Sequence, residues 1–314
     1  MNAAAAERFE RHRRTLVRHA YRMLGEYADA EDIVHDAYLR WSAAASASHV
    51  ADDRAYLRTI VTRLCLDRLR SARARREVYI GPWLPEPVLD DPPDDPQRIA
   101  AFADDVSFAL LLALERLSPL ERAAFLLHDA LDVPFAEIAQ TLERSEVAVR
   151  RLASRAREHV RDAHRQAQVP HEEALRLRDA FTAALANDDL HALQSLLTSD
   201  VVFTSDGGGK VPAALVPVAG PDHVGRLVLG LRRKSLEQVR DVKLVTLNGL
   251  PGFVVLGEEG VLQTLALEVR DGRIAALYAT RNPDKLRASR SDSPNALRDR
   301  RLILAAQHGA KRVD

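Results

Sequence analysis

The chain has 314 residues, 46% of them hydrophobic, and its 45 basic and 45 acidic side chains cancel to a formal net charge of zero. That length accommodates two or three domains with cores of their own, and the charge balance means that any affinity for a polyanion must come from local patterning. The longest wholly apolar run, residues 108–114, is far too short to span a bilayer, residues 1–14 mix alanines with charges where a signal peptide would be apolar, and the single cysteine, Cys65, excludes an internal disulfide. A cytoplasmic location without membrane contact is expected.

Residues 7 to about 77 read as helical by period. In DAEDIVHDAYLRW, the residues Ala30, Ile33, Val34, Ala37 and Trp41 form an apolar stripe, which leaves Glu31, Asp32, His35 and Asp36 facing outward. Such a helix can dock its acidic face on a basic partner, or simply solvate it. The next helix, AYLRTIVTRLCLDRLRSARARRE, buries Leu57, Ile60, Val61, Leu64 and Leu69 and turns Arg58, Thr62, Arg63, Asp67 and Arg70 outward. It ends in a basic run, Arg73, Arg75 and Arg76, suited to phosphates. Cys65 sits on its apolar side, where a small buried residue is the default.

Residues 81–97, GPWLPEPVLDDPPDDPQ, hold six prolines and five acids, a composition that sustains neither helix nor central strand and reads as a linker. Trp83 and Leu84 stand between Pro82 and Pro85, which fix an extended shape and lower the cost of ordering the segment against a partner surface. Trp83 is expected to pack on the C-terminal domain or the helical modules, the alternative being a cap on the preceding helix. The acids Asp90, Asp91, Asp94 and Asp95 either mimic a polyanion or are a solvated linker.

Residues 99 to about 166 are helical again, and 134–160 carry a helix-turn-helix pattern. Pro134 suits the start of the first helix and Ser145 the N-cap of the second, with a short turn over residues 142–144. In the second helix Val149, Leu152, Ala153, Ala156 and Val160 share one face. Arg150, Arg151, Ser154, Arg155 and Arg161 share the opposite one, where arginine forks can grip guanine edges or phosphates in a major groove. An ordinary helical hairpin with a solvated basic face is the plainer alternative.

From Pro170 the texture changes to a separate α+β domain, with helices over 172–185 and 190–197 and then strand-like runs between glycine turns. Its titratable candidates are Asp206, Asp222, His223, Glu268 and Asp284; most adjoin glycine or proline, where exposed loop carboxylates are expected. The histidines show no ligand spacing, so neither metal nor cofactor is expected. Residues 287–314 are polar and arginine-rich and read as a frayed tail, in which Leu302, Ile303 and Leu304 could add a short helix.

Taken together, the acidic AEDIVHDAYLRW helix, the basic TRLCLDRLRSARARRE helix, the broken linker and the helix-turn-helix resemble regions two and four of bacterial extracytoplasmic-function (ECF) sigma factors, over residues 9 to about 164. Three further signatures, residues 83–87 (WLPEP), 206–210 (DGGGK) and 282–286 (NPDKL), resemble the SigJ-type subgroup, which carries a fused SnoaL-like domain. The implied fold class is multidomain: two all-α sigma modules, helical region 2 and helix-turn-helix region 4, plus a C-terminal α+β NTF2/SnoaL-like cone. The implied boundaries are 7–80, a linker 81–98, 99–168, 170–287 and a tail 288–314.

The resemblance implies that Glu31, Asp32, His35 and Asp36 dock on the clamp helices of the largest subunit of core RNA polymerase, with region 4 meeting the flap. It implies that Arg63, Asp67, Arg70 and Arg73 contact the minus-ten promoter element, and that Arg150, Arg151, Ser154 and Arg155 read the minus-thirty-five element. Aromatic residues that could stack on unpaired bases are sparse, and the nearby Tyr56 is read as core. In the subgroup the C-terminal domain stands in for a separate anti-sigma factor. The residues implied in that regulation are Trp83, Leu84 and Pro85; Asp206, Gly207, Gly208, Gly209 and Lys210; and Asn282, Pro283, Asp284, Lys285 and Leu286, the last two groups touching the sigma core. Residues beyond Leu286 are implied to be dispensable. A small-molecule ligand or an isomerase-like activity in the cone is the competing reading for that domain, placed behind regulation because fold does not imply function. A helix-turn-helix regulator working without polymerase is the competing reading for the chain, and it leaves the acidic and promoter-melting helices unexplained.

Overall fold

The computed structural model describes residues 3–47, 52–76, 79–89, 108–166 and 171–286; the acidic run 90–95 and the tail with its apolar triplet 302–304 lie outside them. Backbone contacts divide the chain into two units, one from Met1–Val78 and Ala109–Arg165, the other from Tyr79–Phe108 and Gln166–Asp314.

In the first unit, α1 (Ala3–Leu24), α2 (Tyr27–Ala47) and α3 (Asp53–Arg76) pack pairwise. The stripe Ala30, Ile33, Val34, Ala37 and Trp41 is buried, as are Leu57, Val61, Leu64 and Leu69, while Ile60 is half-buried. Two expectations are corrected. Thr62 is fully buried, because α3 is covered on a second side and the Thr62 hydroxyl pairs with His19 Nε2 at 2.9 Å. Tyr56 is 38% exposed, because Leu57 takes the inward position at the next helical step.

The same unit continues through α4 (Phe108–Glu115), α5 (Pro119–Phe125), a π-helical turn (Leu126–Ala130), α6 (Phe135–Leu142) and α7 (Glu146–Gln166). A capping box between Ser118 and Glu121 starts α5, satisfying amide groups that the helix cannot. Arg122, buried, donates from Nη1 to the Met23 carbonyl at 2.6 Å and to Glu115 at 2.7 Å, which ties α5 to the C-terminal end of α1. A guanidinium removed from water needs both partners.

The second unit holds the extended segment 79–89, then α8 (His171–Ala186), α9 (Leu190–Ser195), β1 (Leu197–Asp206), β2 (Val218–Ala219), α10 (Pro221–Ser235), β3 (Asp241–Leu247), β4 (Leu250–Gly257), β5 (Gly260–Arg270) and β6 (Arg273–Thr280). The strands form one sheet in the order β2-β1-β6-β5-β4-β3, with β1 and β6 parallel and the other pairs antiparallel. This is the α+β layout implied for the C-terminal domain. Phe181, Leu193, Val224 and Val228 from the helices pack with Val201, Phe203, Phe253, Leu265, Leu267 and Leu277 from the strands. Since strand side chains alternate, Asp206, Thr280, Glu268 and Tyr278 belong to the other face.

Candidate promoter-binding and linker-gripping sites

The helix-turn-helix is built as its sequence suggests. Pro134 is the residue before α6, Ser145 accepts the Ala148 amide at 3.3 Å ahead of α7, and Glu143 makes the turn in the left-handed region at φ 55°. Val149, Ala153, Ala156 and Val160 are buried and Leu152 is half-buried. Arg150, Arg151, Ser154, Arg155 and Arg161 are exposed on the far side of α7. Arg150 is steadied by Glu146 one turn earlier and lies 4.5 Å over the Phe135 ring, while Arg157 pairs with Asp129 at 2.7 Å.

On α2, Glu31, Asp32, His35 and Asp36 are exposed together on one face, beside a half-buried pair in which Arg68 reaches Asp29 at 2.6 Å. On α3, Asp67 and Arg70 are exposed and paired at 3.2 Å. The Arg73 side chain lies outside the described residues. Arg63 is exposed but engaged by α6: its Nε donates to the Thr141 carbonyl at 3.2 Å, and its Nη2 lies 3.1 Å from Glu143 Oε1.

A dense polar cluster lies in the second unit. Asp206 is expected in an exposed loop, and the structure corrects this: it is the last residue of β1, paired in register with Thr280, and has no exposed surface. Strand pairing continues through it, and segment 79–89 runs across it. Its Oδ1 accepts from the Tyr79 hydroxyl at 2.5 Å and the Gly208 amide at 3.0 Å; its Oδ2 accepts from the Leu84 amide at 2.9 Å and Lys285 Nζ at 2.7 Å. Lys285, also buried, donates to the Leu84 carbonyl at 2.6 Å and sits 4.0 Å from the centre of the Trp83 ring and 5.1 Å from that of Tyr79. Asn282 donates to the Tyr79 hydroxyl at 2.9 Å, and an ion pair joins Lys210 to Asp284.

The glycines of the 206–210 motif answer to crowding. A Cβ on Gly207 would lie 2.4 Å from the Val211 carbonyl oxygen, and one on Gly208, which has φ +61°, would lie 2.4 Å from the Asn282 side chain. Gly209 continues the turn opposite Ile80. Leu84, Pro85 and Leu286 are buried, and Pro283 is exposed. At its other end the segment forms a second joint, in which Val88 and Asn248 exchange hydrogen bonds at 2.9 and 3.0 Å and Leu89 bridges to Leu247. Segment 79–89 is therefore anchored at β1 and at the β3–β4 turn.

The structure brings Asp206 and Asp284 into one cluster with the three motifs and leaves the other titratable candidates apart. Glu268 is buried and accepts from the Tyr278 hydroxyl at 2.5 Å; burial pushes its carboxyl up, against the lowering influence of Tyr278 and Arg270. Asp222 pairs with Arg226, and His223 lies exposed near the Ala219 carbonyl. Sequence reasoning missed Tyr79 and Asn248. The available signal was an aromatic residue four places before Trp83 and an Asn-Gly turn, which marks a hairpin but not a docking point.

Residues 8–75 match the family Sigma-70 region 2, and residues 107–160 match Sigma-70, region 4. The ECF RNA polymerase sigma factor SigJ of Mycobacterium tuberculosis is 43% identical over 90% of this chain and 93% of its own length. The chain belongs to the ECF RNA polymerase sigma factors. As an ECF sigma factor it directs core RNA polymerase to promoters. A second relative, the probable ECF sigma factor SigI of the same organism, is 31% identical over 90% of this chain and 94% of its own. The crystal structure of the M. tuberculosis ECF sigma factor SigJ matches with a TM-score of 0.72 at 41% identity, covering 90% of this chain and 98% of that one. The likeness to these ECF sigma factors thus extends through the C-terminal α+β domain.

Proposed function

We propose that this sigma factor works in the cytoplasm and divides promoter recognition among three surfaces, with its C-terminal domain setting the reach of the linker between them. Glu31, Asp32, His35 and Asp36 dock on the polymerase clamp helices, and region 4 meets the flap. Arg63, Asp67, Arg70 and Arg73, with the exposed Tyr56 as a stacking platform, take the minus-ten strand. Arg150, Arg151, Ser154 and Arg155 read the minus-thirty-five element.

The regulatory part rests on one observation: a carboxylate without exposed surface, Asp206, grips the segment that leads from region 2 toward region 4. Holding Tyr79, Leu84 and Val88 on the sheet shortens the chain free to span the two promoter elements. Among the described residues the Asp206 carboxylate accepts four hydrogen bonds, all from this chain's own donors, so we assign it a gripping role and no turnover. The helix-covered face of the sheet is lined by apolar side chains.

The test of the recognition surfaces is promoter binding by the reconstituted holoenzyme. Arg150→Ala or Arg155→Ala costs about 1 to 3 kcal/mol at the upstream element, with a shallower salt dependence. An unchanged promoter preference would remove those residues from the interface.

A further inference from the structure

On the outer side of α3, two arginines are held by the helix-turn-helix. Arg58 Nη2 donates to Glu137 Oε2 at 2.8 Å, and Arg63 pairs with Glu143 at 3.1 Å. Arg63 Nε and Nη2 also reach the Thr141 and Gln140 carbonyls at 3.2 and 3.4 Å, and the Thr59 and Thr141 hydroxyls meet at 3.4 Å. The two carbonyls belong to the last turn of α6, which carries the negative end of the helix dipole. A guanidinium fork therefore faces a carboxylate and helix-end carbonyls, the kind of acceptors a phosphodiester offers.

Glu143 sharpens the reading. It occupies the left-handed region at φ 55°, where glycine or asparagine is the unstrained choice, so the chain accepts backbone strain at the residue whose carboxylate meets Arg63.

We infer that Glu137 and Glu143 form an intrachain latch that occupies Arg58 and Arg63 in place of the promoter strand, so that the helix-turn-helix competes with DNA for α3. This rests on the assignment of Arg63 to the minus-ten strand. The latch is built to open. Arg58 is largely covered, but half or more of the Glu137 and Glu143 side chains and nearly half of Arg63 remain in water, where ion pairs are weak and screened by salt. A partner that binds only the separated form shifts the balance by its differential affinity.

The test uses the full chain with nitroxide labels at Ser71 and Ala136, both exposed, and pulsed dipolar distance measurement at about 50 and about 500 mM NaCl. The parent is expected to show one short-distance population at low salt and a longer one that grows with salt. Glu137→Gln with Glu143→Asn keeps a residue tolerant of positive φ at 143. It is expected to raise the long-distance fraction about two- to tenfold at low salt and to flatten the salt response. Binding of a fluorescent mixed-sequence single-stranded DNA by the free chain is expected to tighten by a similar factor. An unchanged distance distribution overturns the latch, and an opened chain with unchanged DNA affinity overturns the competition. If Arg63→Ala in the opened variant leaves DNA binding intact, the minus-ten assignment fails and the latch stands as a contact alone.

Discussion

Single residues carry the most specific consequences. His19 is buried against Thr62, and burial with the nearby Arg22 and Arg58 lowers its pKa from 6.5 to about 3. Between those values the unfolded chain binds a proton that the folded chain refuses, so stability rises with pH across this window and falls as pH drops below 6.5. At pH 5 the loss is about 2 kcal/mol, and a His19→Gln variant should lack this part of the acid sensitivity in urea melts followed against pH. At Asp206 the prediction is a coupling. Asn in its place removes the carboxylate charge whichever way its amide turns, leaving the buried Lys285 ammonium without its counter-charge, which costs about 3 to 5 kcal/mol. Asp206→Asn with Lys285→Met removes that charge and should cost less than the sum of the two single changes; strict additivity in a double-mutant cycle would refute the pairing.

At the scale of elements, amphipathic period carries much of the fold. The stripes of α2 and α7 are inside and their charged faces outside, because each of these helices meets the core on one side only. Period misleads on α3, which is covered on two sides, so that Thr62 is buried and Arg63 is spoken for. The 206–210 motif misleads in another way. Glycines beside an acid suggest an exposed turn, yet here they let a strand end, a turn and segment 79–89 crowd together around a buried carboxylate. That partner is more than a hundred residues away in sequence, and local pattern holds no record of it. An element-level consequence follows for the linker: Asn248→Ala removes the acceptor for the Val88 amide and should raise amide exchange at Val88 while leaving Leu84 protected.

For the whole molecule, neutral net charge conceals opposed local surfaces: acids on α2, arginines on α7 and the arginines of α3. ECF family membership supplies the polymerase and the promoter, and in the proposed function the buried Asp206–Lys285 ion pair is the joint that holds the linker on the C-terminal domain. The decisive measurement is promoter-specific transcription with purified core RNA polymerase, comparing the parent chain with Asp206→Asn/Lys285→Met on promoters whose two elements are separated by different spacings. The parent is expected to support initiation within a narrow range of spacings, and freeing the linker is expected to change both the level of initiation and the width of that range. Identical spacing profiles for the two proteins, with both folded and active, would contradict it.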